Sequence, residues 1–210
     1  MSVVAYEKRL RADFDWALME GSMHFQEKSD VQKTLRAVTR RLEEIGVPYA
    51  VCGGMALYYH GYERFTTDVD ILVTKSSLKI IHERLEGLGY IPPFAGSKNL
   101  RDTSNGVRVE FLVSGDFPGD GLPKPVSFPD PITVAVEVSG MKFLALPTLI
   151  ELKLASGMTN PLRLKDLADV QELIGALGLG DDIAVQLDPF VRQKYLDLIG
   201  IYRTHSKPPE

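Results

Sequence analysis

The chain contains few of the residues that disulfide-rich, zinc-binding or membrane-spanning proteins require. Its 210 residues include a single cysteine, Cys52, which therefore has no partner for a disulfide within the chain. The four histidines are not spaced as zinc ligands, and no glycine-rich stretch is followed by a Walker-type lysine. No apolar run approaches the length of a membrane-spanning helix. These absences argue against a zinc centre, a P-loop NTPase, a kinase and a membrane protein.

The composition is that of a soluble globular protein, and a single cysteine within an apolar strand favours a reducing, cytosolic compartment. A hydrophobic content of 44% and a charged content of 25% fit one ordinary domain, with room for a small helical annex. Glu7, Lys8 and Arg9 lie where a secretory signal would have its apolar segment. The net charge of −4 argues against general attraction to a large polyanion, but it allows a local basic cleft. We therefore expect a cytoplasmic location and no membrane partner.

Two short motifs carry the chemistry of the chain. Gly53 and Gly54 follow one apolar strand, and Asp68 and Asp70 begin a second. Side chains at positions i and i+2 of a strand share a face, so the two carboxylates form a paired anionic site that a hard cation such as Mg²⁺ or Mn²⁺ would neutralise. A glycine turn lets backbone amides approach a phosphate. The combination predicts phosphoryl or nucleotidyl transfer; a strand-to-helix turn and capping carboxylates are the structural alternatives.

A third carboxylate is needed if two metal ions are to be held. Glu110 interrupts an apolar strand at 107–113, where it faces away from Val109 and Phe111. We predict that Glu110 is the third metal ligand; the alternative is a solvent-facing glutamate beside Arg108. Other candidates are Glu137 and Asp116.

The two motifs together resemble the signature of the DNA polymerase beta-like nucleotidyltransferase superfamily: an apolar residue, Gly-Gly, about a dozen residues, then Asp-apolar-Asp-apolar. Arg64-Phe65-Thr66-Thr67, which leads into Asp68, resembles the small prokaryotic branch that includes the abortive-infection toxin nucleotidyltransferases. Residues 149–155 and 163–169 resemble the downstream motifs of that branch. The resemblance covers roughly residues 47–174.

The resemblance implies an enzyme that transfers NMP from an NTP to a hydroxyl acceptor and releases pyrophosphate, with Mg²⁺ or Mn²⁺ as cofactor. It implies Lys153 as a phosphate-contacting residue, so that the predicted catalytic residues are Asp68, Asp70, Glu110 and Lys153, the carboxylates also being the metal ligands. The predicted nucleotide-binding residues are Gly53, Gly54, Arg64, Thr66, Lys165 and Asp166.

Each of these last assignments has a structural alternative. Arg64 and Thr66 could brace a loop, and Lys153 lies on an otherwise apolar helix from which a lysine can reach solvent. Arg163, Asp166 and Asp169 follow one another at intervals of three residues, which also suits a salt-bridged helix face.

The acceptor and the partners are left open by the sequence. The toxin branch suggests an RNA or tRNA end, while other small members of the superfamily modify antibiotics or protein side chains. A second hypothesis is a non-catalytic nucleotide-binding protein or toxin–antitoxin partner on the same fold. A homodimer or a protein partner is compatible with either hypothesis.

The expected fold is α/β (α+β), with a mixed β-sheet flanked by helices and a C-terminal helical portion. We place an N-terminal helical extension at 1–28, the nucleotidyltransferase core at 29–146 and the helical portion, packed on the core, at 147–210. Helices are expected at 4–19 and from about Ser29 to Ile45, and a hairpin at 132–146. The Pro- and Gly-rich segments 92–106 and 114–131 are expected to be long loops, either surface excursions or a substrate lid.

Overall fold

The computed structural model describes residues 3–205. Within them the protein has a seven-stranded mixed sheet in the order β3-β4-β5-β2-β1-β7-β6. The strands are Ala50–Cys52 (β1), Asp68–Val73 (β2), Tyr90–Ile91 (β3), Leu100–Asp102 (β4), Arg108–Val113 (β5), Ala135–Val138 (β6) and Met141–Leu144 (β7). The two central pairings that matter most here are β2 with β5, which are parallel, and β1 with β2, which are antiparallel.

Helices cover the sheet and follow it toward the C-terminus, so the expected fold class is confirmed. They are Tyr6–Ala12 (α1), Phe14–Phe25 (α2), Asp30–Glu44 (α3), Gly53–Tyr59 (α4), Lys75–Leu85 (α5), Pro131–Val134 (α6), Leu146–Thr159 (α7), Leu164–Leu177 (α8) and Pro189–His205 (α9). One hydrophobic core extends from Tyr6 to Ile199 and joins the first and last helices to the sheet. The boundaries proposed at 28/29 and 146/147 stay a prediction. Among the helices of residues 3–205, none has both the length and the apolar character needed to cross a bilayer.

The helix expected near Ser29 is confirmed, and its sequence explains its ends. Ser29 and Gln32 form a capping box at the N-terminus of α3, in which each satisfies a backbone amide of the other. The apolar stripe is fully buried and consists of Val31, Leu35, Val38 and Leu42. The stripe fixes which face of α3 lies on the sheet.

The single helix expected at 4–19 is wrong, because the chain breaks at Asp13. This residue has extended backbone angles, and its carboxylate accepts a hydrogen bond from the backbone N–H of Trp16, which starts α2. The break folds α1 back, so that the rings of Tyr6 and Trp16 pack edge to face with centroids 5.2 Å apart. Helix α2 then continues to Phe25, six residues beyond the expected end of the helix at residue 19.

Two other segments differ from expectation for local reasons. The segment 92–106 is not one long loop, because Leu100 is buried and β4 extends the sheet. The predicted strand at 132–138 begins as the short helix α6, since Asp130 caps it and Pro131 occupies its first turn. The segment 114–130 is irregular as expected, and Asn160, the C-cap of α7, donates a hydrogen bond to the Gly119 carbonyl, which holds the segment against the end of that helix.

A buried histidine joins α2 to the segment that precedes β2, and it gives the fold a pH dependence. His24 is fully buried among aromatic rings, and its Nε2 lies 3.1 Å from the Arg64 carbonyl oxygen, to which it must donate. Burial lowers the pKa of His24, and the nearby Arg64 charge adds to this effect. The folded state therefore disfavours the protonated ring.

We expect the free energy of unfolding to fall as the pH drops below the ordinary histidine pKa of about 6.5, and to level off below the lowered folded pKa. Above the ordinary histidine pKa, the contribution of His24 to the free energy of unfolding is fully present. Urea unfolding at pH 7.5, 6.5, 5.5 and 5.0 measures it. The His24→Gln variant, although less stable at neutral pH, should show a shallower loss than the wild type, whereas His205→Gln, on the exposed end of α9, should retain the wild-type slope. Equal slopes for wild type and His24→Gln would contradict the assignment.

Candidate active site

Three carboxylates meet where β2 and β5 lie side by side. The parallel register pairs Asp68 with Arg108 and Asp70 with Glu110, and alternate residues of a strand share a face. One carboxylate oxygen from each of Asp68, Asp70 and Glu110 lies within 4.8 Å of the others. All three side chains are half-buried. The structure thus brings together the three residues predicted as metal ligands.

The glycine turn between β1 and α4 fits closely against this cluster. Gly53 has a φ of +59°, and a Cβ added there would lie 1.7 Å from Asp70 Oδ2. A Cβ added at Gly54 would lie 2.6 Å from Thr66 Oγ1. Thr66 in turn donates a 3.0 Å hydrogen bond to Asp68 Oδ1. The two glycines are therefore required by the close approach of acidic-site side chains, a reason that the sequence did not reveal.

The cluster carries more negative charge than its surroundings neutralise. Burial raises the pKa of Asp70 to about 7, and the Asp68 and Glu110 charges act in the same direction. A cation bound by the three carboxylates would remove this repulsion, and oxygen-only donors are those that Mg²⁺ and Mn²⁺ prefer. The donor set and its charge therefore fit a hard divalent cation.

Arg108 contacts the acidic cluster and is not among the site residues predicted from the sequence. Its Nη2 lies 3.1 Å from Asp68 Oδ2 and 2.5 Å from Glu110 Oε1, so the guanidinium bridges two of the three carboxylates. The alternation within β5 could have revealed it, because positions 108 and 110 share a face. In the sequence alone, Arg108 enters only as the neighbour of a solvent-facing glutamate, the alternative given for Glu110.

A second, buried charge network lies between α7 and α8. Lys153 Nζ donates to Asp166 Oδ1 at 3.1 Å and to Asp169 Oδ2 at 2.6 Å. The Ser156 hydroxyl donates to Asp166 Oδ2 at 2.7 Å, and Arg64 Nε lies 3.0 Å from Asp169 Oδ1. Burial by itself would raise the pKa of Asp166, but the Lys153 charge and the hydrogen bonds outweigh it and lower that pKa. The predicted residues Arg64, Lys153 and Asp166 therefore belong to one network.

Comparisons with known proteins find the same architecture at low sequence identity. No protein-family model matches the chain, and no curated protein matches it. The solution structure of the antibiotic-resistance factor ANT(2'')-Ia matches with a TM-score of 0.52 and 13% identity, over 81% of this chain and 96% of that one. The chain has the nucleotidyltransferase fold. At this identity the match bears on the fold alone.

Two further structures match with lower TM-scores. JHP933 from Helicobacter pylori has a TM-score of 0.45 and 19% identity, over 83% of this chain and 78% of that one. An antigenic nucleotidyltransferase-like protein from Paracoccidioides brasiliensis has a TM-score of 0.49 and 13% identity, over 84% and 88%. The resemblance to the abortive-infection toxin branch stays a prediction.

In this nucleotidyltransferase fold, all the predicted catalytic and nucleotide-binding residues line one cleft of about 1030 Å³. The acidic cluster, the glycine turn, residues 115–123 and the start of α8 all line it. Lys165 is exposed and lines the cleft, and so does Lys98. Arg101 pairs with Glu7 of α1 at 2.9 Å. Of the alternative ligands, Asp116 lines the cleft outside the acidic cluster, and Glu137 is exposed on β6 opposite Lys142.

Proposed function

We propose that the protein is a metal-dependent nucleotidyltransferase that transfers NMP from an NTP to a hydroxyl acceptor and releases pyrophosphate. The observation that carries this proposal is the convergence of Asp68, Asp70 and Glu110 on one sheet face beside the glycine turn, at the wall of a cleft large enough for a nucleotide. The fold is compatible with it, since the chain has the nucleotidyltransferase fold.

The three carboxylates would hold Mg²⁺ or Mn²⁺. When bound there, the metal neutralises charge on the triphosphate and on the attacking and leaving oxygens of an in-line displacement at the α-phosphorus. Thr66 keeps Asp68 oriented through its hydrogen bond, and the lack of side chains at Gly53 and Gly54 allows Asp70 and Thr66 to approach. These contacts set the ligand geometry before substrate arrives, which lowers the reorganisation needed for reaction.

The start of α8 supplies positive charge for the phosphates. Lys165 and Arg163 are exposed where α8 begins at the cleft, and we assign them to phosphate binding. Asp166 holds Arg163 through a 2.7 Å contact to its Nε and also accepts from Lys153. Lys153 and Arg64 therefore act on the nucleotide chiefly by fixing the position of α8 relative to β2.

For the acceptor, we propose an RNA end, such as that of a tRNA, and a cytoplasmic location; a role in a toxin–antitoxin system belongs to the same proposal. The resemblance of residues 64–67, 149–155 and 163–169 to the toxin branch supports it. A small molecule or a protein side chain is the competing acceptor class.

A second candidate function is a non-catalytic nucleotide-binding or partner protein, alone or as a homodimer. It is favoured by one observation: Arg108 already neutralises part of the acidic cluster without any metal. A site of this kind could bind nucleotide or a partner without turnover.

Transfer of label tests these functions. Purified protein is incubated with each α-³²P-labelled NTP, Mg²⁺ or Mn²⁺, and total cellular RNA, beside an Asp68→Asn/Asp70→Asn double variant. We expect label to reach RNA only with the intact carboxylates, which would also identify the nucleotide. Label on the protein, or on an added small molecule, would change the acceptor class. Metal-dependent NTP binding without any transfer would favour the non-catalytic function, and no binding would refute the site.

A further inference from the structure

The guanidinium of Arg108 lies within the site that the proposed function assigns to a metal ion. The inference drawn from this contact rests on that proposed function. We propose that Arg108 is an internal counter-cation: it neutralises Asp68 and Glu110 in the metal-free protein and moves to Glu7 of α1 when a divalent cation binds. Glu7 is then a positioning residue that determines how readily the metal enters. The N-terminal helical extension thereby acquires a role in the chemistry of the cleft.

The strand register makes the contact of Arg108 with the cluster unavoidable. Arg108 is directly opposite Asp68 in the β2–β5 ladder, and it lies two positions before Glu110 on the same face of β5. Its guanidinium donates a hydrogen bond to Asp68 Oδ2, and the Thr66 hydroxyl donates one to Asp68 Oδ1. Both oxygens of that carboxylate therefore accept hydrogen bonds from the protein. A metal that binds Asp68 and Glu110 must therefore compete with a guanidinium for the same two carboxylates.

An alternative partner for Arg108 is already in place on α1. Glu7 Oε1 lies 3.8 Å from Arg108 Nε, and that buried nitrogen has no hydrogen-bond partner among residues 3–205. The helix is fixed there by two contacts with the β4–β5 turn region: the Tyr6 N–H donates to the Gly106 carbonyl at 3.1 Å, and Arg101 pairs with Glu7 at 2.9 Å. A small side-chain movement of Arg108 would therefore bring its guanidinium into hydrogen-bond distance of Glu7, and α1 would not have to move.

The two neutralising substitutions should change metal affinity in opposite directions. Arg108→Gln removes the competing cation and leaves three carboxylates facing one another, so we expect about tenfold tighter Mn²⁺ binding and a lower melting temperature of the metal-free protein. Glu7→Gln removes the partner that receives Arg108, so we expect several-fold weaker Mn²⁺ binding. A merely structural role for these residues would weaken binding, or leave it unchanged, in both variants.

The test is Mn²⁺ titration of the full chain, followed by the electron paramagnetic resonance signal of free Mn²⁺, with melting temperatures measured in EDTA and at saturating Mn²⁺. Lys8→Gln, an exposed cation next to Glu7 on α1, controls for the loss of one positive charge and should bind as the wild type does. Saturating Mn²⁺ should reduce the difference in melting temperature between Arg108→Gln and the wild type.

Each outcome bears on a distinct claim. Opposite shifts in affinity for Arg108→Gln and Glu7→Gln support the counter-cation. Weaker or unchanged binding by Arg108→Gln overturns it while leaving the metal site of the proposed function intact. No Mn²⁺ binding by the wild type and by Arg108→Gln alike would refute both the counter-cation and the metal site.

Discussion

Asp70→Asn is expected to lower nucleotidyl transfer by about 10³-fold or more and, at the same time, to stabilise the metal-free protein. Asp70 is paired with Glu110 in the central ladder, and it is the carboxylate against which Gly53 approaches. An amide keeps the shape but loses the charge that a divalent cation requires. The same loss removes repulsion from Asp68 and Glu110, the effect that contributes to raising the pKa of Asp70 to about 7. Because the side chain is only half-buried, we expect a gain of about 1–2 kcal/mol at pH 8.

Three measurements separate these effects: transfer of labelled nucleotide, Mn²⁺ titration, and urea unfolding in EDTA. Asp116→Asn is the matched control, since Asp116 is an exposed carboxylate of the same cleft outside the acidic cluster. It should leave metal affinity within about twofold of the wild type and change stability by no more than about 0.5 kcal/mol. Retained Mn²⁺ affinity in Asp70→Asn, or a loss of stability, would show that Asp70 is a structural carboxylate and not a metal ligand.

The parts of the fold that could be predicted are those in which periodicity and local capping agree. The capping box of Ser29 and Gln32 begins α3, and β2 begins at Asp68 as predicted. The break at Asp13 could not be predicted, because Tyr6, Leu10, Phe14 and Leu18 fit one continuous helix. The Asp13 cap of α2 and the contact between the Tyr6 and Trp16 rings together select two helices. Capping and packing together override the apolar periodicity there.

The candidate site shows the same division. The alternation of side chains along a strand is enough to place Asp68 and Asp70 on the same face of β2. It also places Glu110 on the face of β5 opposite to Val109 and Phe111. The sequence does not contain the register between β2 and β5, and that register brings Glu110 opposite Asp70 and Arg108 opposite Asp68. The approach of Glu7 depends on contacts between residues almost a hundred positions apart, so local reasoning could not identify the relation of α1 to the site.

Lys153→Met is expected to have its largest effect on stability. Lys153 is 7% exposed, and its ammonium is the shared partner of the buried Asp166 and Asp169. Methionine keeps the length and apolar contacts of the side chain but leaves those two carboxylates with only their remaining partners. Removing one member of a buried ion pair costs about 3–5 kcal/mol, and we expect about 3 kcal/mol here, since Arg163 and Arg64 still neutralise part of the charge. Urea unfolding at pH 7.5 measures it.

A double variant and a matched lysine distinguish this network from direct phosphate binding. Asp169→Asn added to Lys153→Met removes one stranded charge, so the double variant should recover part of the lost stability. Lys165→Met, at an exposed position of the same cleft, should change stability by no more than about 0.5 kcal/mol and raise the KM for NTP. If Lys153→Met unfolds at the wild-type urea concentration but loses transfer activity, the lysine contacts the nucleotide directly, and its pairing with Asp166 and Asp169 contributes little to the fold.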